Sequence, residues 1–154
     1  MKPELLICDE VVSALDVSIQ GQILNLLLDL RGGRELSFLF IAHDLKVACY
    51  FCDRIGVMYR GELMEEAAAH TLWKNGVHPY TELLFSSVSK PEKKAKNRGL
   101  IPPAKEGQKP VTPEPHEQSC TFAHRCPYAG DRCFREKPFL REIEEGHKAR
   151  CFKL

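Results

Sequence analysis

Two acidic residues follow directly after a short apolar run near the beginning of the printed sequence. Asp9 and Glu10 come after residues 5–8, and His43 comes after a second apolar run at residues 37–42. An Asp at the tip of a buried strand can hold Mg²⁺, and a neighbouring Glu can polarise a water for attack on a phosphoryl group. A histidine at the next strand tip could donate a hydrogen bond to the same phosphate. Each feature alone is more often a turn or structural residue, so the prediction depends on their combination.

A second set of chemically suited residues lies in the last part of the sequence. Four cysteines are separated by five, six and seventeen other residues: Cys120, Cys126, Cys133 and Cys151. Thiolates are soft ligands for zinc or an iron–sulfur cluster, and four of them can close a structural site. The gaps are wider than the C-x₂-C pairs of common zinc sites, so reduced thiols packed as small hydrophobes remain an equal alternative. His124 and His147 are weaker candidates as ligands.

The residues around the acidic pair alternate buried strands with amphipathic helices. The apolar runs at 5–8 and 37–42 are typical of strands covered on both faces. Between them, apolar residues recur at helical spacing: Ile19, Ile23, Leu26, Leu27 and Leu30. Asp16 or Ser18 is the candidate N-cap of this helix, and the glycines at 32–33 form its stop.

The next part of the chain predicts a short helix, a hairpin and two further helices. The short helix spans about residues 44–51, and two strands within 54–67 turn at residues 60–61. The later helices are expected near 67–74 and 79–88. This order predicts an α/β fold, a parallel sheet with helices on its faces, and ligands bind outside the carboxyl ends of such strands. The acidic pair and the histidine fall at those ends.

Several residues that could do chemistry are interpreted as structural. Cys49 and Cys52 form a C-x-x-C pair within or at the end of a helix, where the surroundings of a thioredoxin-type site are missing. Trp73 is expected in the core. The cysteine-rich segment has six large apolar residues for its own core: Phe122, Tyr128, Phe134, Phe139, Leu140 and Ile143.

Length, charge and composition exclude several classes of protein. The 154 residues, 44% of them hydrophobic, suffice for one domain with a small appendage. Because 22 Lys and Arg balance 21 Asp and Glu, we expect no nucleic-acid partner. No apolar run approaches the roughly 20 residues of a membrane span. We therefore predict a cytoplasmic chain whose seven cysteines are reduced or metal-bound.

The composition of the sequence divides the chain into three parts. These are residues 1–88, a Pro-, Lys- and Glu-rich linker at 89–118, and a cysteine-rich segment at 119–154.

The segments LLICDE, SALD, FLFIAHDL and DRIGVMYRGE occur in this order. In order and spacing they resemble the C-terminal half of an ATP-binding cassette (ABC) ATPase subunit. The resemblance implies a partial P-loop NTPase-type parallel sheet with helices on its faces, and ATP with Mg²⁺ as ligands. Asp9 would then serve the Mg²⁺, Glu10 would be the catalytic carboxylate, and His43 would be the switch histidine that senses the γ-phosphate. Ser13 and Asp16 match the D-loop, which couples two cassettes across their dimer interface.

A narrower resemblance covers the rest of the chain. GVHPYTELLFSSV, CTFAHRCPYAGDRC and EEGHKARC are similar to the C-terminal extension of peptide/nickel-type ABC importer ATPases, which include oligopeptide and dipeptide importers. This family implies transmembrane permease subunits and a second ABC ATPase subunit, in a homo- or heterodimer, as partners. It also implies coupling of ATP hydrolysis to peptide uptake, a peripheral position on the inner face of the plasma membrane, and compatibility of the cysteines with a [4Fe–4S] cluster.

Two departures from the family pattern lead to further expectations. The family usually has Pro-Thr or Pro-Ser where this chain has Val11 and Val12, so we expect a less rigid turn and a displaced Glu10. No G-x-x-x-x-G-K-[ST] loop and no LSGGQ-like segment occur in the sequence, so most of the binding energy for ATP is missing. We expect a fragment that is inactive alone. The rival hypothesis is a non-enzymatic metal- or iron–sulfur-binding module in which 119–154 carries the function.

Overall fold

A computed structural model describes four stretches of the chain: residues 3–12, 16–32, 36–88 and 118–154. Ser13 lies outside the described residues, as does the predicted linker at 89–118 apart from its last residue. Contacts divide the chain into a first unit, Met1–Asp53, and a second unit, Arg54–Leu154. Within the described stretches, no helix has both the length and the apolar character needed to cross a membrane.

The first unit contains the predicted strands and helices. They are β1 (Leu5–Asp9), α1 (Val17–Gly32), β2 (Ser37–Ile41) and α2 (Leu45–Phe51). β1 and β2 pair in parallel, with Leu5 opposite Ser37 and Asp9 opposite Ile41, and α1 lies in the crossover that a parallel pair requires. The carboxyl ends of both strands therefore lie at one edge of the sheet, as the sequence predicts.

One face of this two-stranded sheet packs against apolar side chains of the unit. The rings of Phe38 and Phe40 lie 5.4 and 4.9 Å from the ring of Phe51. The buried core beside them comprises Val12, Leu24, Val47 and Phe51. The other face carries four apolar side chains that are about half exposed or more: Leu5, Ile7, Leu39 and Ile41. Parallel sheets are usually covered on both faces, so this open face departs from the predicted arrangement.

Helix α1 packs through a stripe that matches the predicted one only in part. Ile23 and Leu27 contact the core as predicted, together with Leu24 and Leu28, whereas Ile19 and Leu26 are exposed. At about 100° per residue, Ile19 and Leu26 lie on the far side of the helix from Leu24. Asp16 occupies the N-cap position, where its carbonyl accepts the N–H groups of Ile19 and Gln20, both at 2.9 Å.

The second unit is built on an antiparallel sheet. Its strands and α-helices are β3 (Arg54–Tyr59), β4 (Glu62–Ala68), α3 (Ala69–Asn75), α4 (Pro79–Val88), α5 (Asp131–Arg135), β5 (Arg141–Glu144) and β6 (His147–Ala149). The strand order is β3-β4-β6-β5.

The predicted hairpin turn is confirmed: Arg60 and Gly61 both have positive φ, 49° and 80°, as in a type I′ turn. The α/β class is confirmed, but with one parallel and one antiparallel sheet. The pairing of β4 with β6 joins the predicted first domain to the predicted cysteine-rich segment. The two units therefore meet after residue 53, whereas the predicted boundary lies at residue 88.

The core of the second unit is aromatic. Phe122 is buried, and its ring lies 5.3 Å from the rings of both Tyr59 and Tyr80. Three expectations about buried aromatics were wrong. Trp73, whose ring contacts Phe85 edge to face, is 42% exposed, Tyr128 is 39% exposed, and Phe139 is 86% exposed.

Strand β4 carries a β-bulge that buries two consecutive side chains. Val57 lies opposite Glu65 whereas Met58 lies opposite Leu63, so Met64 is the extra residue. A bulge interrupts the alternation of inward and outward side chains. As a result Met64 and Glu65 are both fully buried.

The buried Glu65 carboxylate joins three separate segments of the second unit. It accepts the N–H groups of Val77 and His78 at 2.8 and 3.0 Å. Its Oε1 lies 2.7 Å from Nε2 of His147, which is 3% exposed. A buried carboxylate is tolerated when it is paired and hydrogen-bonded, and here the partners come from β6 and from the loop between α3 and α4.

Candidate functional site

The structure brings Glu10 and His43 together at the end of the parallel strands. Oε1 of Glu10 lies 3.4 Å from Nδ1 of His43, and both side chains are more than half exposed. The register places Asp9 beside them on β1, opposite Ile41. The predicted strand-end residues therefore lie near one another, and the side chains of Glu10 and His43 are open to solvent.

The backbone at Glu10 is unusual. Its φ is 48°, a left-handed value that is uncommon for residues other than glycine. The Glu10 N–H donates to the carbonyl of Ile41 at 3.0 Å, which extends the strand pairing by one residue. Strained backbone that is held by its surroundings is frequent at functional sites, and here it occurs at the residue predicted to be the catalytic carboxylate.

A small cavity of about 40 Å³ lies beside this pair. Its lining includes Glu10, His43, Gln20 and Asp44. Such a volume holds a water molecule but not a nucleotide. Sequence analysis did not select Gln20 or Asp44. The signal for Asp44 was available, since an Asp before a helix is a common N-cap, and its carboxylate accepts the N–H groups of Lys46 and Val47.

The turn after Glu10 is anchored by packing. Val12 is buried against Leu24, Val47 and Phe51, and its carbonyl accepts a hydrogen bond from Nε2 of Gln20 at 2.9 Å. These contacts hold Val12, whereas Val11, at the position of the family's proline, is 43% exposed, and the less rigid turn and displaced Glu10 stay predictions.

Only part of the predicted D-loop can be placed. Asp16 is exposed at the start of α1, and Ser13 lies outside the described residues.

The four predicted cysteine ligands line one cavity of the second unit. This cavity has a volume of about 330 Å³, and Cys120, Cys126, Cys133 and Cys151 all face it. His78 and Phe122 also line this cavity. Residues separated by up to 31 positions in the sequence are thus brought to one place.

Backbone amides point at three of these sulfurs. The N–H of Lys153 donates to Sγ of Cys151 at 3.4 Å. The backbone amides of Phe122 and Tyr128 lie close enough to the thiols of Cys120 and Cys126 to lower their pKa values. In each case the amide belongs to the residue two positions after the cysteine. Such N–H···S bonds stabilise thiolates and tune metal–thiolate centres.

Three of these thiols, those of Cys120, Cys126 and Cys151, have raised pKa values. Burial raises the pKa of Cys120 and Cys151, and it raises the pKa of Cys126 to about 11. The neighbouring cysteines raise these pKa values further, and the backbone amides oppose the shift. A metal that bound here would have to displace protons.

The spacing of the cysteines does not match a single bound ion. In the described stretches, no three His, Cys, Asp or Glu side chains lie close enough together to hold one metal ion. Tetrahedral zinc would require sulfurs about 3.8 Å apart. A four-iron cluster separates its cysteine sulfurs more widely, because each sulfur bonds a different iron. Within the described residues, the four cysteines therefore share one cavity without forming a preassembled site for a metal ion.

The alternative histidine ligands are not available to this cavity. His147 is bonded to Glu65. His124 packs its ring against Phe134, with ring centroids 5.4 Å apart, and it is not among the described residues that line the cavity.

The C-x-x-C pair of the first unit, which the sequence analysis interprets as structural, lies at the end of α2. Cys49 lies within α2, and Cys52 ends it by donating its N–H to the carbonyl of Ala48 at 2.9 Å. Burial raises the pKa of both thiols, which is the opposite of what a reactive thiolate requires.

Comparisons with known proteins connect both regions to one family. Residues 64–133 match the family described as oligopeptide/dipeptide transporter, C-terminal region. The chain is 42% identical to a provisionally named peptide import ATP-binding protein of Brucella ovis, over 99% of this chain and 47% of that protein. It is 42% identical to the oligopeptide transport ATP-binding protein AppF of Bacillus subtilis, over 98% of this chain and 45% of that protein. The chain thus spans about half the length of the curated relatives it matches. Nearly all of this chain is therefore similar to about half of these peptide-import ATP-binding proteins, and residues 64–133 match the oligopeptide/dipeptide transporter C-terminal region.

Proposed function

We propose that this chain provides the water-activating part of the ATPase site of a peptide importer. Glu10 polarises the attacking water, His43 donates a hydrogen bond to the γ-phosphate, and Asp9 holds Mg²⁺ directly or through water. The observation that carries this proposal is the 3.4 Å contact between Glu10 and His43 at the ends of two parallel strands.

The size of the adjacent cavity supports this assignment. A general base needs a water within hydrogen-bond reach, and the cavity beside Glu10 has room for one. The left-handed backbone at Glu10 is a further feature that is frequent at functional sites.

The phosphates must then be held by other residues. The printed sequence has no P-loop motif, so we propose that a phosphate-binding loop from another polypeptide segment completes a P-loop NTPase-type sheet. Ser13 and Asp16 would act across the interface with a second ATPase subunit. Transmembrane permease subunits would place the assembly, with the linker and cysteine-rich extension, on the cytoplasmic face of the plasma membrane.

A chimeric ATPase tests this proposal. The part of AppF that precedes its match to this chain is joined to residue 4, and ATP hydrolysis is measured with and without Mg²⁺. We expect Mg²⁺-dependent hydrolysis that Glu10→Gln lowers by about 10²-fold or more. Asp29→Asn, an exposed carboxylate on α1, is the matched control and should leave the rate unchanged. A chimera that hydrolyses ATP equally well with Glu10→Gln would contradict the assignment.

We also propose a second function for the cavity with four cysteines, a cysteine-ligated iron–sulfur centre. Cys120, Cys126, Cys133 and Cys151 would be its ligands, and the cluster would fix the fold of a small segment. The shared cavity, the N–H···S bond at Cys151 and the backbone amides near Cys120 and Cys126 favour this candidate. Visible absorption and iron analysis of anaerobically purified protein test it: a brown sample with stoichiometric iron supports the centre, and a colourless, iron-free sample contradicts it.

A further inference from the structure

Two cation–π contacts join the turn at residues 151–153 to the segment at 128–132. Cζ of Arg132 lies 4.2 Å from the ring centroid of Phe152. Nζ of Lys153 lies 3.5 Å from the ring centroid of Tyr128. The contacts are reciprocal, since each segment provides one cation and one ring.

All four side chains also line the cavity with four cysteines. Each segment carries a cysteine of this cavity next to its contact: Cys151 precedes Phe152, and Tyr128 follows Cys126 by two residues. The amide of Lys153 bonds to Cys151. The two contacts therefore fix the position of Cys151 relative to Cys126.

The start of the 151–153 turn is attached to the sheet. Arg150 donates its N–H to the carbonyl of Met64 at 2.8 Å, and its Nε donates to the carbonyl of Leu63 at 3.0 Å. Strand pairing ends before this point, at Ala149. The turn thus has a fixed base, and its far end is held by contacts that are partly exposed, which are weaker than buried ones.

We propose that residues 151–153 form a closing turn for this cavity, and that the reciprocal cation–π contacts control access to its cysteines. Opening rotates the turn about its attachment at Arg150. Cys151 moves away from the other three thiols, and the cavity is exposed to solutes. This inference concerns the cavity alone, so it stands whether or not the ATPase and cluster proposals hold.

Site-resolved alkylation of the full-length, metal-free, reduced chain tests the closing turn. Iodoacetamide labelling rates at each cysteine are measured by mass spectrometry at one pH. Phe152→Leu and Tyr128→Leu remove the rings but keep both cations. We expect each to raise the rates at Cys126 and Cys151 by about two- to fivefold, the equilibrium effect of losing one exposed cation–π contact.

Three comparisons make the result specific. Tyr128→Phe keeps the ring and should restore the wild-type rates. Phe139→Leu, an exposed aromatic of the same unit that does not line the cavity, should change no rate. Cys49 and Cys52 of the first unit serve as internal references. Unchanged rates in both Leu variants would overturn the proposal, and so would an equal rise at the reference cysteines.

Discussion

The two units of this protein place their acidic groups in opposite environments. In the first unit, Glu10 and His43 meet in solvent at the end of a two-stranded sheet whose second face is open. In the second unit, Glu65 and His147 meet in the interior, and the carboxylate accepts two backbone N–H groups as well. The same pair of residue types therefore serves folding in one unit and is left accessible to a ligand in the other.

The energetics of ion pairs explain why this difference matters. An exposed pair contributes about 0–1 kcal/mol, so the stability of the first unit does not depend on Glu10 and His43. Removing one partner of a buried pair destabilises a protein by about 3–5 kcal/mol, because the other partner is left buried and unpaired. Substitutions should consequently separate the two units by the size of their effects.

The largest effect is expected at Glu65. Glu65→Ala should lower the free energy of unfolding by about 3–5 kcal/mol, because His147 and two backbone N–H groups lose their acceptor. Glu66→Ala is the matched control on the same strand, where a partly exposed ion pair with Arg54 is lost, and it should cost about 0–1 kcal/mol. Urea unfolding followed by circular dichroism measures both. Equal effects of the two substitutions would refute the comparison.

The next effect is an acid sensitivity of the second unit. Burial lowers the pKa of His78 to about 4, with the nearby Glu65 acting in the opposite direction. The folded state then binds fewer protons than the unfolded state between pH 6.5 and 4. The contribution of His78 to the free energy of unfolding is fully present above pH 6.5. It is lost as the pH falls towards 4, and this loss is on the order of 3 kcal/mol.

Urea unfolding at a series of pH values measures this loss. His78→Asn, which retains an acceptor for the Tyr80 N–H, should flatten the pH dependence between 4 and 6.5. His70→Asn, at an exposed position, should preserve it. A profile that is the same in the His78 variant and the wild type would argue against the assignment.

A smaller effect separates two adjacent valines of the first unit. Val12→Thr places a hydroxyl in the core and should cost about 1–3 kcal/mol. Val11→Thr changes an exposed side chain and should stay within about 0.5 kcal/mol of the wild type. Thermal unfolding compares them, and a larger loss for Val11→Thr would show that the turn is not anchored as described.

The smallest effect is expected at the exposed pair itself. His43→Ala should change the free energy of unfolding by less than about 1 kcal/mol, although it removes the proposed γ-phosphate donor. A loss above about 2 kcal/mol in urea unfolding would mean that the pair is structural after all.

Local patterns in the sequence predict most of the secondary structure. The apolar run ending at Asp9 gives β1, and the Arg60-Gly61 step gives the hairpin turn. Both depend on neighbouring residues only. The parallel pairing of β1 and β2 also follows, because a helix lies between them.

Long-range packing was not predictable in the same way. ELMEEA looks like a solvent-exposed acidic strand, yet Glu65 is buried because a bulge redirects it towards His147, 82 residues later. The convergence of the four cysteines on one cavity likewise depends on the pairing of β4 with β6. Spacing alone left metal ligands and packed thiols as equal alternatives.

Titration with a fluorescent ATP analogue, with and without Mg²⁺, tests the central claim most directly. The claim is that this chain holds the water-activating groups while the phosphates are bound by other residues. The purified chain should show no saturable binding at concentrations that saturate the AppF chimera, and the Glu10→Gln chimera should bind normally without hydrolysis. Mg²⁺-dependent binding by the chain alone, as tight as that of the chimera, would contradict the claim.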